Sequence, residues 1–262
     1  MMSKPNPAPA GLSRLEEFNH YFELAPAVSQ AQRNMVYHIR YRVYCEEFGY
    51  ESPESSSNGE EIDEFDDQSA HCLVTHRQSG VPVGCVRVVM LEGDDRLPME
   101  IHAGDSLHQA YMDEFATQRN VICEISRLAV DSAFRRRNRE QSTRFGNIDA
   151  VGAAGPELRS LPLVALSLMV GAGALADVVG RKHCFAIMEP FLPVMMRRAG
   201  IHFRRVGEDF EFRGVRAPYY GDMSELFNNA PEELRQYFNL MRSEFAATLQ
   251  ARPLFEKLPH ET

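Results

Sequence analysis

The longest apolar stretch of the chain, SLPLVALSLMVGAGALADVVG from Ser160 to Gly180, leaves few places to put it. A helix over Leu161 to Val179 that is apolar on every side must either cross a bilayer or be covered on all faces by its own protein. Pro162 near the start, the small-residue breaks and Asp177 near the end fit a buried helix, so no transmembrane segment is expected. A helix of that kind needs other layers packed around it, and 262 residues suffice for one such core. Hydrophobic residues make up 44% and charged residues 25%, the balance of a globular chain and not of a disordered one.

The layers can be placed along the chain. MMSKPNPAPAGL opens it as a Pro- and Ala-rich tail over 1–13 without the apolar core of a signal peptide. A short segment ends near Pro26, and a helix follows from Ser29, a plausible N-cap, to Phe48. ESPESSSNGEEIDEFDDQ is a long acidic loop. HCLVTHR, the turn QSGVP and VGCVRVVML read as a β-hairpin, and after a polar excursion VICEISRLAV returns as a strand. Beyond the apolar helix come a strand HCFAIMEP, a helix FLPVMMRRAG ending at a glycine, and one or two strands in IHFRRVGEDFEFRGVRAPYYGDM. A last helix carries Leu234, Phe238, Met241 and Phe245 on one side. This order predicts an α/β (α+β) sandwich with helices covering a mostly antiparallel sheet, the domain spanning 14–222 and a helical extension 223–262. A doubly wound nucleotide fold is excluded, since βαβ alternation and a Gly-rich first turn are both missing.

Charge narrows the function. With 28 basic against 37 acidic residues the formal charge is -9, opposite to what a phosphate backbone selects, so nucleic acid is not an expected partner. Five separated cysteines without a CxxC pair read as buried, reduced thiols of a cytoplasmic protein, and the histidines show no metal-ligand spacing. The costly charges are Arg40 on the early helix, Asp63 and Asp66 in the acidic loop, Arg87 in the hairpin, and Glu124 with Arg127 inside an apolar strand. Side chains three apart on a regular strand point to opposite faces, so a shared site for Glu124 and Arg127 requires a bulge or splay between them. A bulge would also free a backbone N–H for developing negative charge. A purely structural ion network remains the competing reading.

Taken together, Arg40-x-x-x-Tyr44, the aromatics Phe48 and Tyr50, Asp63-x-x-Asp66, Arg87 and Glu124-x-x-Arg127 resemble the signature of the acyl-homoserine-lactone (autoinducer) synthases, members of the GNAT acyltransferase superfamily. HIRYRVYCEEFGYE, EIDEFDDQSAHCLV and CEISRLAV resemble most the branch of PEP-CTERM/exosortase system-associated acyltransferases, and are similar also to N-acyl amino acid synthases. The resemblance implies a GNAT-like N-acyltransferase fold, with Glu124 as catalytic base. It implies Asp63, Asp66, Arg87 and Arg127 as the ion network, and Arg40, Tyr44 and Phe48 on the acceptor side. Two departures bear on substrates. The chain has no Trp, and Tyr44 stands where those synthases carry Phe, which points away from S-adenosylmethionine. DSAFRRRNRE replaces the Gly-rich loop of acetyl-CoA-using relatives. That favours the phosphopantetheine arm of an acyl carrier protein over free acyl-CoA, with Arg135, Arg136 and Arg137 for its phosphate or for the acidic carrier.

The expected reaction is aminolysis of a fatty acyl thioester by a small amine, an amino acid above all, without a tightly bound cofactor or a metal. It needs a neutral amine, a proton acceptor and an oxyanion donor, and no Cys or Ser nucleophile. An acyl-homoserine-lactone product is the alternative within the class. A non-catalytic acyl- or carrier-protein-binding module is the alternative outside it.

Overall fold

The computed structural model describes residues 14–52, 58–91, 93, 95–116, 118–135 and 163–254, without the side chains of 133 and 135. Helix α1 (Arg14–Tyr21) runs straight into strand β1 (Phe22–Pro26). Helix α2 (Gln30–Arg40) starts at a capping box, Ser29 Oγ accepting from Gln32 N at 3.2 Å while Gln32 Oε1 accepts from Ser29 N at 3.0 Å. It widens into a π-helical segment, Tyr41–Glu47, closed by Phe48 N donating to Val43 O at 3.1 Å. The predicted helix from Ser29 to Phe48 is therefore one continuous element with a change of winding, a form that often marks functional sites.

Strands β2 (Ser69–His76) and β3 (Pro82–Val89) form the expected hairpin, and β4 (Ile122–Val130) pairs antiparallel with β3. Helix α3 (Pro98–His102) lies in the polar excursion between them. The apolar run is α4 (Leu163–Val178), then β5 (His183–Met188) and α5 (Phe191–Arg198), whose chain turns away at Gly200 with φ +92°. Short strands β6 (Arg204–Arg205) and β7 (Phe210–Glu211) precede β8 (Val215–Asp222), followed by α6 (Met223–Asn228) and α7 (Glu232–Ala251). One eight-stranded sheet results, ordered β1-β2-β3-β4-β5-β8-β6 with β7 beside β8. All its pairings are antiparallel except β4 with β5. This is the α/β sandwich, a mostly antiparallel sheet covered by helices, that the order of elements predicts.

Both faces of the sheet centre are covered, so β2 and β3 are buried along nearly their whole length and do not alternate between inside and outside. One face of β2 to β4, with Cys72, Val74, Val86 and Val88, packs on α4 and α7; Leu73, Cys85 and Ala129 on the other meet α2. The small residues of α4 set its distance from neighbours: a Cβ on Gly171 would lie 2.9 Å from Leu24 of β1, and one on Gly173 would lie 2.5 Å from Phe227 of α6. Helix α7 closes the layer with Leu234, Phe238, Met241 and Phe245, all buried. No helix among the described residues is long and apolar enough to cross a membrane.

Candidate active site

Strand β4 is irregular at the place where the charges sit. Cys85 pairs with Ala129 and Arg87 with Ser126, so the single residue Val86 faces two, Arg127 and Leu128. Arg127 takes up the extra length in a left-handed conformation, φ +52°, uncommon for a residue with a side chain. On its other side β4 stays paired with β5 only from Ile122–His183 to Glu124–Phe185, and past that point no pair joins the two strands. A cavity of about 70 Å³ occupies the opening, with Glu124, Ser126, Arg127 and Leu128 on one wall and Ala186 to Glu189 on another. Glu124 and Arg127 thus line one cavity despite their spacing.

The ion network lies behind this wall. Arg40 is fully buried and all three of its donor nitrogens are engaged: Nε with Glu61 Oε2 at 2.5 Å, Nη1 with Asp66 Oδ1 at 2.6 Å and Nη2 with Asp66 Oδ2 at 2.9 Å. Arg87 Nη1 bridges Asp63 Oδ1 at 2.5 Å and Asp66 Oδ1 at 3.2 Å, and its Nε donates to Ser126 Oγ at 3.1 Å. Arg127 reaches Asp63 Oδ2 at 2.7 Å, Glu61 Oε1 at 3.2 Å and Glu51 Oε1 at 3.2 Å. These guanidinium groups hold the Glu61, Asp63 and Asp66 carboxyls below the usual range against the opposing push of burial. The acidic loop is thereby clamped onto β3 and β4. Charges this deep are costly to bury and costlier to unpair.

Glu124 has a different environment. It is 2% exposed and stands apart from these ion pairs, its Oε2 accepting the Met99 N–H of α3 at 2.6 Å. Burial pushes its pKa up from 4.5 to about 8, with the Met99 hydrogen bond and the more distant Arg87 and Arg127 only partly offsetting that rise. A carboxyl of this kind exchanges a proton near neutral pH, whereas the clamped carboxylates do not. The thiols are unsuited to that task, since burial pushes Cys85 and Cys123 up to about 12. Among the described residues no cluster of three or more His, Cys, Asp or Glu side chains could hold a metal ion.

The structure brings together Glu124, Asp63, Asp66, Arg87 and Arg127. Of the three expected acceptor-side residues only Tyr44 lines the cavity, its hydroxyl donating to Leu128 O at 3.0 Å and its ring 5.6 Å from the Arg127 guanidinium carbon. Arg40 needs correcting: with its donors engaged by carboxylates and no surface exposed, it belongs to the network and not to an acceptor site. Phe48 stacks on Tyr50 at 5.4 Å, away from the cavity lining. Arg136, Arg137 and the side chain of Arg135 lie outside the described residues. Sequence reasoning missed Glu61 and Glu51, which complete the network, and the far wall made by His102, Phe212, Arg213 and Arg216.

Residues 39–143, which carry most of this site, match the family model described as an acetyltransferase (GNAT) domain. Among solved structures, TofI in a ternary complex with an inhibitor and MTA is 17% identical, with a TM-score of 0.56 over 82% of this chain and 99% of its own. The CoA-dependent acyl-homoserine lactone synthase MesI, 17% identical, gives a TM-score of 0.51 over 84% and 95%. FeeM, an N-acyl amino acid synthase from uncultured soil microbes, is 15% identical, with a TM-score of 0.50 over 82% and 97%. No curated protein matches the chain. The matched domain and these likenesses show a GNAT-like fold, with the GNAT domain model lying over 39–143.

Proposed function

We propose that this protein moves a fatty acyl group from a thioester to the amine of an amino acid, with Glu124 as the base. The observation that carries the reading is a buried carboxyl with a pKa of about 8 in the same cavity as the β4 bulge. In the proposed step the amine nitrogen bonds to the thioester carbonyl carbon as Glu124 accepts its proton. A backbone N–H of the bulge at 127–128 steadies the oxyanion. The C–S bond then breaks, and the leaving sulfur takes the proton back from Glu124. Asp63, Asp66, Arg87 and Arg127 hold the bulge in shape, and Tyr44 ties it through Leu128 O.

A long acyl chain is supported by the apolar floor. Met169 of α4 and Leu192 of α5 line the cavity, and one helical turn along each helix Leu166 and Met195 open into a second, apolar cavity of about 420 Å³. For the donor, the CoA dependence of MesI supports acyl-CoA, while the arginine run 135–137 supports an acyl carrier protein as partner. The GNAT-like unit would span 14–222 and act in the cytoplasm. The stretches HIRYRVYCEEFGYE and CEISRLAV favour the PEP-CTERM/exosortase-associated branch.

Mass spectrometry of lipid extracts from cells expressing the chain, set against an empty vector, tests the reading. A new N-acyl amino acid supports it, and an N-acyl-homoserine lactone restores S-adenosylmethionine as acceptor. No new lipid, together with no thiol release from acyl-CoA or acyl carrier protein in vitro, leaves a binding module.

A further inference from the structure

The wall facing Glu124 carries two guanidinium groups that the acyl-transfer step does not use. Arg213 comes from the turn joining β7 to β8 and Arg216 from the first residues of β8, a segment with no part in the ion network's core. Arg213 sits at its tip in a left-handed conformation, φ +55°, next to Gly214 at φ +96°. Its Nη2 lies 2.5 Å from Glu51 Oε1, the same carboxylate oxygen that Arg127 contacts at 3.2 Å. Arg216 is 7% exposed, with Nη2 3.3 Å from Glu189 Oε1 and 3.1 Å from Arg213 O. Aromatic rings fix its plane: the guanidinium carbon is 5.6 Å from the Phe212 ring and 5.7 Å from the Tyr50 ring. Phe212 in turn stacks on His102 at 4.4 Å.

The balance of charge on the cavity surface is positive. Arg87, Arg127, Arg213 and Arg216 line it against Glu189 and Glu124, while the carboxylates that pair with three of these arginines, Glu51, Glu61, Asp63 and Asp66, stand off the lining; burial keeps Glu124 largely protonated at neutral pH. His102 reports the same field, since after burial itself the charges of Arg213 and Arg127 do most to hold its pKa down. A positive, partly dry wall opposite a proton acceptor suits a small molecule with an anion at one end and an amine at the other. Paired guanidinium groups match a carboxylate in geometry as well as in charge.

We propose that Arg213 and Arg216 form the carboxylate subsite of the acceptor, making this transferase selective for α-amino carboxylates over other primary amines. The inference rests on the acyltransferase reading above and adds to it the residues that choose the acceptor class. The carboxylate docks on the β7–β8 turn, and the α-amine, two bonds from the carboxylate carbon, is directed at Glu124. A free amino acid and S-adenosylmethionine share this chemistry, and their products, an N-acyl amino acid and an N-acyl-homoserine lactone, tell them apart.

The test uses the full chain with a long-chain acyl-CoA or acyl carrier protein and, as acceptors, the twenty proteinogenic amino acids and S-adenosylmethionine. For the best substrate, its primary amide and its decarboxylated amine are compared with the acid. Wild type is expected to use the acid at a kcat/KM ~10–100-fold above either analogue, the range for losing charge-assisted hydrogen bonds. Arg213→Gln and Arg216→Gln are each expected to raise the acceptor KM ~10-fold or more and to narrow the acid-to-amide preference, with the donor KM unchanged. Arg216→Lys should recover part of the preference. Arg213→Gln, at the turn tip, remains informative if the buried Arg216→Gln fails to fold. Equal use of acid and amide by wild type, or an intact preference in Arg213→Gln and Arg216→Lys, overturns the subsite while acyl transfer stands. Acylation of none of these amines overturns both.

Discussion

Replacing Glu124 with Gln should make the protein more stable and less active at once, in a manner that depends on pH. The folded-state pKa of about 8 lies above the 4.5 of an unburied carboxyl, so the folded state prefers Glu124 protonated. Its contribution to stability is therefore full below about pH 4.5 and is lost as pH rises towards 8. Integrating proton linkage between those two values gives a cost of about 1 kcal/mol at pH 5 and about 3 kcal/mol at pH 7. Gln does not titrate, and its amide oxygen can still accept the Met99 N–H that Glu124 Oε2 accepts at 2.6 Å. At ~2–4 °C per kcal/mol for a chain of this size, the melting temperature of Glu124→Gln should pull ahead of wild type by roughly 4–8 °C between pH 5 and pH 7. Loss of a general base should lower kcat by about 10²–10⁴-fold at pH 8 and above, where Glu124 is ionised, the gap narrowing as pH falls, and wild-type kcat/KM should climb with pH up to about 8. Paired thermal melts at pH 5, 6, 7 and 8, with turnover measured by thiol release, provide the check. A melting difference that stays flat with pH would show that Glu124 is not held protonated by burial, and unchanged turnover would remove it as the base.

Two further changes probe the scaffold around the site. Asp66→Asn strips the charge that receives Arg40 Nη1, Arg40 Nη2 and Arg87 Nη1, and should cost about 3–5 kcal/mol in urea unfolding at pH 7. Because arginines hold the Asp66, Asp63 and Glu61 carboxyls low, wild-type stability should fall as pH drops below about 4, and the Asp66→Asn curve should fall less steeply there. Gly173→Ala places a methyl 2.5 Å from Phe227 Cε2, in a ring already stacked 4.0 Å from Phe238, and overpacking should lower stability by about 1–3 kcal/mol in thermal melts.

Local signals carried much of this architecture. Ser29 marked the start of α2, the turn at QSGVP marked the hairpin, and Pro162, the small-residue breaks and Asp177 marked the apolar run as a helix wrapped by its own protein. The bulge was readable too, because Glu124 and Arg127 cannot meet on a regular strand. Strand β1 was hidden because only five residues, in the burial pattern of an edge strand, follow directly from α1. Within EEIDEFDD six of eight residues are acidic, and nothing in their spacing shows that Glu61 turns inward beside Asp63 and Asp66 while Glu64 stays outside. Arg213 and Arg216 reach the site through a turn about ninety residues downstream of Glu124, and no period in the sequence reports a contact made by closing a sheet.

The clamp also sets an order of events during synthesis. Glu61 is made 66 residues before Arg127, about 3–13 s of elongation, and through that interval the acidic loop lacks the arginine that anchors its outer edge. The half-made chain holds Arg40 and its carboxylates in reach of each other but without β4 to lie against. A fragment stopping short of Val130 should therefore be held open by its own charges and cleared by proteases, so that the ribosome commits to a stable unit only after the bulged strand has emerged.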